Sequence, residues 1–196
     1  HSFPDISIRG AVADFVKQFD QIKSSRRCVF CLFGSTLGNL PRHLAVDFCT
    51  RLGAHMRPGD AFLLGVDMVK DRAVLHSAYN DSSRVTSRFN LNILRVVNSI
   101  LGSDFNPKHF AHRAFFNEEQ LRIEMHLEAL RDMTVTCTVT GDSLFLDKGE
   151  TIHTENSHKF TKELIRDLAR SAGLGISAVH TDANEWFSLV HLEKQQ

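Results

Sequence analysis

Cysteine, proline, tyrosine and tryptophan are all scarce in this 196-residue sequence, which has four, four, one and one of them. A chain of this length buries roughly 70% of its unfolded surface. It therefore needs no disulfide staples, and three of the cysteines sit in apolar surroundings, which points to a reducing, cytoplasmic setting. Cys28 and Cys31 form a C-x-x-C, yet they fall in the apolar run Cys28–Phe33, which reads as a buried strand. Residues three apart on a strand face opposite ways, so the pair reads as core cysteines and not as a metal or redox motif. Charge of one sign is also missing. The 23 Lys+Arg balance 23 Asp+Glu to a net charge of 0, and no long basic run occurs, which excludes a nucleic-acid binder that works by phosphate neutralisation. Apolar stretches such as Ala61–Val66 fall far short of the roughly 20 residues that a membrane span requires. The chain begins at His1 without a signal-peptide pattern and reads as clipped from something longer. The G-x-G-x-x-G, Walker, H-E-x-x-H and G-x-S-x-G motifs are all absent.

What is present is an alternation of strand and helix that changes character partway along. Residues 1–70 place apolar runs (Cys28–Phe33, Ala61–Val66) between amphipathic stretches (Ala11–Phe19, Leu40–Leu52), the mark of a parallel sheet covered on both faces. From Asp71 to Gly102 the apolar residues Val85, Phe89, Ile93, Val96, Val97 and Ile100 recur at helical spacing, which fits one long amphipathic helix. Asn106-Pro107 predicts a short helix reaching Ala111. The period then changes to two: Ile123, Met125, Leu127 and Ala129 form one strand, Val135, Cys137 and Val139 a second, and Ser143–Leu146 a third. A helix capped by Thr161 and strands at Ile176–His180 and Trp186–Leu192 restore the α/β pattern. An α/β core (1–70 and 157–196) interrupted by an α+β block (71–156) follows.

Three polar segments could carry chemistry. Phe33-Gly-Ser-Thr-Leu-Gly-Asn39 follows a predicted strand, where the crevice of an open α/β sheet binds ligands; an ordinary strand-to-helix turn reads equally well. Gly149–Lys159 is too polar for a core strand, and on an extended backbone Glu155 and Ser157 would project to one side; an exposed loop is the simpler reading. Asp67 and Lys70 follow another strand end, as ligand-orienting groups or as part of a helix start. His109 and His112 have helical spacing without any further metal signature, so no metal site is assigned.

The strings Asp14-Phe15, Phe33–Asn39, Leu64–Asp71, Ala78-Tyr79, Phe89–Asn92, Arg122–Met125 and Glu150–Ser157, in this order, closely resemble the histidine-specific S-adenosylmethionine-dependent methyltransferases. The resemblance implies a Rossmann-like methyltransferase sheet with its N-terminal strands missing, and an inserted α+β substrate-binding subdomain. It implies S-adenosyl-L-methionine as cofactor, with Asp14 and Phe15 by the adenine and Gly34 adjoining cofactor and substrate. Thr36, Asn39 and Tyr79 would hold the amino and carboxylate groups of histidine, and Phe89 would wall the pocket. Glu155 and Ser157 would hydrogen-bond the imidazole, with Asn156 pointing away. The implied activity is methylation of the histidine α-amine to trimethylhistidine (hercynine) in ergothioneine biosynthesis, by a monomeric enzyme with no nucleic-acid or membrane partner. A relative of the dimethylallyltryptophan N-methyltransferases is the neighbouring alternative, and a non-catalytic fragment is a third. The family's glycine-rich loop after the first strand is absent from this sequence.

Overall fold

The computed structural model describes residues 6–19 and 26–195. A four-residue helix α1 (Phe15–Gln18) precedes β1 (Val29–Leu32), α2 (Arg42–His55) and β2 (Ala61–Asp67). A second block follows: helices α3 (Arg72–Tyr79) and α4 (Val85–Leu101), then strands β3 (Phe110–Asn117), β4 (Arg122–Ala129), β5 (Met133–Thr136), β6 (Ser143–Leu146) and β7 (Thr151–His158). The chain ends with α5 (Lys162–Ser171), β8 (Leu174–Thr181) and β9 (Phe187–Lys194). Among the described residues no helix is long and apolar enough to cross a membrane.

The core sheet has the order β1-β2-β9-β8. Only β1 and β2 run parallel; β9 is antiparallel to both β2 and β8. The expected all-parallel sheet is thus mixed, because the short Asp182–Trp186 connection can join β8 and β9 only as an antiparallel pair. Strand alternation puts Phe62, Leu64, Val66, Val190 and Leu192 on one face, where they pack in a single core with Phe48 and Leu52 of α2 and Ile165 and Leu168 of α5. The opposite face carries Val29, Cys31 and Leu63 and is not closed: Val29 is 62% exposed. This corrects two expectations, a sheet covered on both faces and a buried Cys28–Phe33 run. As β1 lies at the sheet edge, Cys31 is exposed and Cys28 half-buried.

The second block has cores of its own. Leu94 of α4 packs with Phe110, Leu127, Val135 and Leu146. Leu75 of α3 packs with Ala114, Ile123 and Met125 beneath the sheet β3-β4-β7. The single helix expected over Asp71–Gly102 is broken after Tyr79. The Asp81 carboxylate accepts hydrogen bonds from the Val85 and Thr86 amides at 2.8 and 2.9 Å, so it starts a new helix at that point. The predicted helix through Ala111 stops at a 3-10 turn, Pro107–His109, because Phe110 and Ala114 are buried with strand periodicity. His109 and His112 consequently sit on different elements. The predicted strand through Val139 ends at Thr136, and Val139 is exposed. The helix expected over Ala11–Phe19 is only the one turn of α1.

Gly53 lets α2 meet the end of α5, since a Cβ there would collide with the Ala172 carbonyl. Backbone cannot swing aside as a side chain can. Gly53→Ala is expected to lower stability by about 1–3 kcal/mol, read as a lower urea midpoint. Gly10→Ala, where a Cβ would meet nothing, is the control and should leave the midpoint in place.

Candidate active site

β1 runs out into Gly34 and Ser35, both left-handed with φ of 70° and 57°. A 3-10 turn, Thr36–Asn39, then reverses the chain. Ser35 is buried and its Oγ accepts the Asp67 amide at 3.0 Å, tying the ends of β1 and β2 together. Thr36 Oγ1 donates to the Phe33 carbonyl at 2.9 Å, closing the turn. The turn lies directly against β7: a Cβ on Gly38 would come within 2.7 Å of the His158 carbonyl, and His158 Nδ1 hydrogen-bonds the Gly38 carbonyl at 2.9 Å.

β7 is the strand that crosses from the second block to the core. The polar segment for which an exposed loop was the simpler reading is this strand. Within the β3-β4-β7 sheet Glu155 pairs with Met125, Asn156 with Glu124 and Ser157 with Ile123. Alternation therefore puts Glu155 and Ser157 on one face and Asn156 on the reverse. Just past the strand, the Phe160 amide donates to the Asp67 carbonyl and the Val69 amide to the Phe160 carbonyl, both at 2.9 Å, so the chain is stitched to the end of β2. Buried Asn90 of α4 holds the middle of the strand, accepting the Thr154 hydroxyl at 2.6 Å and donating to the His126 carbonyl at 3.1 Å.

Four of the expected substrate residues meet here in two pairs. Asn39 Nδ2 donates to Glu155 Oε1 at 3.0 Å, and the Tyr79 hydroxyl to Ser157 Oγ at 2.8 Å. Partial burial pushes the Glu155 carboxyl above its ordinary pKa. Sequence reasoning missed the group beneath them. Lys159 has a fully buried side chain and reaches Asp67 Oδ2 at 2.7 Å, the Tyr79 hydroxyl at 2.8 Å and Ser157 Oγ at 2.9 Å. Lys70 takes the other oxygen of Asp67. The signal was period two: Lys159 follows Ser157 by two residues at the end of the polar segment.

On the reverse face, Glu124, His126 and His153 bring ligand-type atoms within 4.8 Å of one another. The Glu124 carboxylate is already matched there. Burial raises its pKa, but hydrogen bonds from Arg122, His126 and Asn117 outweigh that and bring it down to about 2. Its contacts include Arg122 at 2.7 Å and Asn117 at 2.9 Å on Oε1.

A family described as histidine-specific, SAM-dependent methyltransferase matches residues 1–194. The chain belongs to that family. Over 172 residues it is 38% identical to a histidine N-alpha-methyltransferase of Mycobacterium tuberculosis, covering 88% of this chain and 54% of the relative. With the enzyme of the same name from Mycolicibacterium smegmatis the identity is 36%, covering 91% and 55%. The chain thus spans about half the length of these relatives. Its fold matches a solved S-adenosylmethionine-dependent methyltransferase from Clostridium acetobutylicum with a TM-score of 0.50 at 9% identity, over 100% of this chain and 69% of that one.

The residues of a SAM-dependent methyltransferase should leave backbone open to the cofactor at a strand end, and Gly34 fits. It lies two residues past β1 with positive φ, and the nearest atom a Cβ would meet is Thr36 Oγ1 at 4.0 Å. Asp14 and Phe15 lie at the start of α1: Asp14 caps it, and Phe15, 43% exposed, packs edge-on to Phe48 with centroids 6.0 Å apart. Phe89, one residue from the strand-holding Asn90, is 66% exposed on α4.

His158 fastens the loop to β7 in its neutral form. Burial lowers its pKa, the Gly38 carbonyl opposes that, and the charges of Arg42, Arg122 and Lys159 lower it further. The unfolded chain then binds the proton more readily than the folded one, so stability falls as pH drops below the ordinary histidine value of about 6.5. Between pH 7 and pH 5 the Tm of the wild type should fall further than that of His158→Gln. Parallel curves would remove His158 from this role.

Proposed function

We propose that this chain supplies the substrate-reading part of an enzyme that methylates the α-amine of L-histidine, giving trimethylhistidine (hercynine) in ergothioneine biosynthesis, with S-adenosyl-L-methionine as donor. The observation that carries this reading is the Glu155–Ser157 pair, two polar groups on one strand face, one oriented by Asn39 and the other by Tyr79. The α3–β7 block acts as the substrate subdomain, and the enzyme works as a cytoplasmic monomer.

The cofactor supplies a methyl group already activated on a sulfonium, so the protein's task is to present a neutral amine in line with it. Gly34 and Thr36 border that position at the end of β1, and Phe89 walls its outer side. Asn39 spends its amide N–H on Glu155, which leaves its carbonyl oxygen to accept an N–H of the substrate amine. A neutral acceptor orients the amine without holding it as an ammonium. The Glu155 carboxylate accepts a ring N–H of the imidazole. A side chain without that donor would leave a half-buried charge unpaired, which selects histidine over carbocyclic amino acids.

The test is a pair of titrations on Glu155→Ala. Histidine affinity is expected to fall roughly 10- to 150-fold, the loss of about 1.5–3 kcal/mol for a hydrogen bond to a charged group. S-adenosylhomocysteine affinity should stay within about twofold. Equal losses of both would overturn the role of Glu155.

A further inference from the structure

We propose that Lys159 is a positioning residue that fixes the direction of hydrogen bonding in the ring pocket, so that Ser157 meets the substrate as a donor and the site takes a neutral imidazole through its lone-pair nitrogen. The inference rests on the histidine reading above and adds to it a reason for the protonation state of the ring.

An ammonium has three N–H donors and no acceptor. Those of Lys159 have three partners, Asp67 Oδ2, the Tyr79 hydroxyl and Ser157 Oγ, at 2.7, 2.8 and 2.9 Å. With its side chain at 0% exposure, no solvent competes for them. Ser157 Oγ has two acceptor positions, and both are filled: one by Lys159, the other by the Tyr79 hydroxyl at 2.8 Å. Its own proton is all it has left to offer. On the same strand face, Glu155 is an acceptor. The pocket thus displays one acceptor and one donor two residues apart.

A neutral imidazole carries the matching set, one N–H and one lone pair. An imidazolium has two N–H groups and would turn one of them against the Ser157 proton, close to the Lys159 charge. An indole or pyrrole ring has an N–H but no lone-pair nitrogen, which would leave the Ser157 donor unpaired. Lys159 touches none of these rings itself. It acts through Ser157, and the Asp67 carboxylate shared with Lys70 keeps it in place.

The experiment compares kcat/KM for histidine with kcat/KM for the two pyrrolylalanine isomers, which keep one ring N–H and replace the other nitrogen by C–H. It uses the intact enzyme. The wild type is expected to prefer histidine by roughly 100-fold or more, because a site built to bond a polar group rejects the analogue lacking it. Lys159→Met keeps the apolar stem and frees an acceptor position on Ser157. It should reduce that preference at least ~10-fold, equivalent to about 1.4 kcal/mol, through a higher KM for histidine with S-adenosylhomocysteine affinity retained. In a Ser157→Ala background Lys159→Met should change the preference no further. If Lys159→Met does not fold, Tyr79→Phe serves the same purpose, since it frees the other acceptor position and should also reduce the preference. Equal losses for histidine and both analogues would mean a purely structural role and overturn the inference, and so would an unchanged preference in Tyr79→Phe. A wild type that methylates histidine no better than the analogues overturns it too. A wild type that prefers an unrelated amine defeats the histidine reading itself, and this inference with it.

Discussion

A lysine ammonium removed entirely from water is the constraint around which the site is built. Burying such a charge is unfavourable unless it is paired and all its donors are used, and losing one partner of a buried pair typically costs about 3–5 kcal/mol. Lys159 meets the requirement with groups from three places: Asp67 at the end of β2, Tyr79 at the end of α3 and Ser157 near the end of β7. These belong to two differently built halves of the molecule, a core sheet packed on α2 and α5 and a second block with its own small cores. The halves are therefore joined at the candidate site. The backbone bonds between Phe160, Asp67 and Val69 continue the join, and the Gly38–His158 contact brings the loop after β1 to the same place.

The two sides of the pocket are tuned in opposite senses. Glu155 is partly withdrawn from water, which holds its carboxyl above the ordinary range, and its Oε1 accepts the Asn39 amide. Ser157 faces a buried cation and a phenol, both of which donate to it. An acceptor held short of donors beside a hydroxyl saturated with them makes a polar pair that reads the direction of hydrogen bonds. On the proposed histidine reading, such a pair would discriminate among amino acids of similar size by the hydrogen bonds of their rings.

Much of this was legible in the sequence, for physical reasons. The period two of Arg122–Ala129 announced a strand, and an extended backbone would put Glu155 and Ser157 on one face, although their polar segment read more simply as an exposed loop and only the structure makes it β7. Thr161 announced the start of α5 and caps it at Leu164. What escaped depended on contacts distant in sequence. β9 enters between β2 and β8, so its partner could not be inferred from neighbouring residues. Cys31 lies in an apolar run yet is exposed, because burial depends on where the strand falls in the sheet. Asp81 divides a stretch whose apolar spacing is helical throughout, since a capping carboxylate outweighs periodicity. Lys159 read as the polar end of a segment because its partners Asp67 and Tyr79 are far from it in sequence.

The most direct test of the account is the protonation state of bound histidine. Histidine isotope-labelled at both ring nitrogens would be bound to the intact enzyme with S-adenosylhomocysteine and followed by nitrogen NMR near pH 6, just below the free ring's pKa of about 6.5. The account predicts two unlike ring nitrogens, one carrying a proton and one a hydrogen-bonded lone pair. Two protonated nitrogens, the signature of an imidazolium, would contradict it.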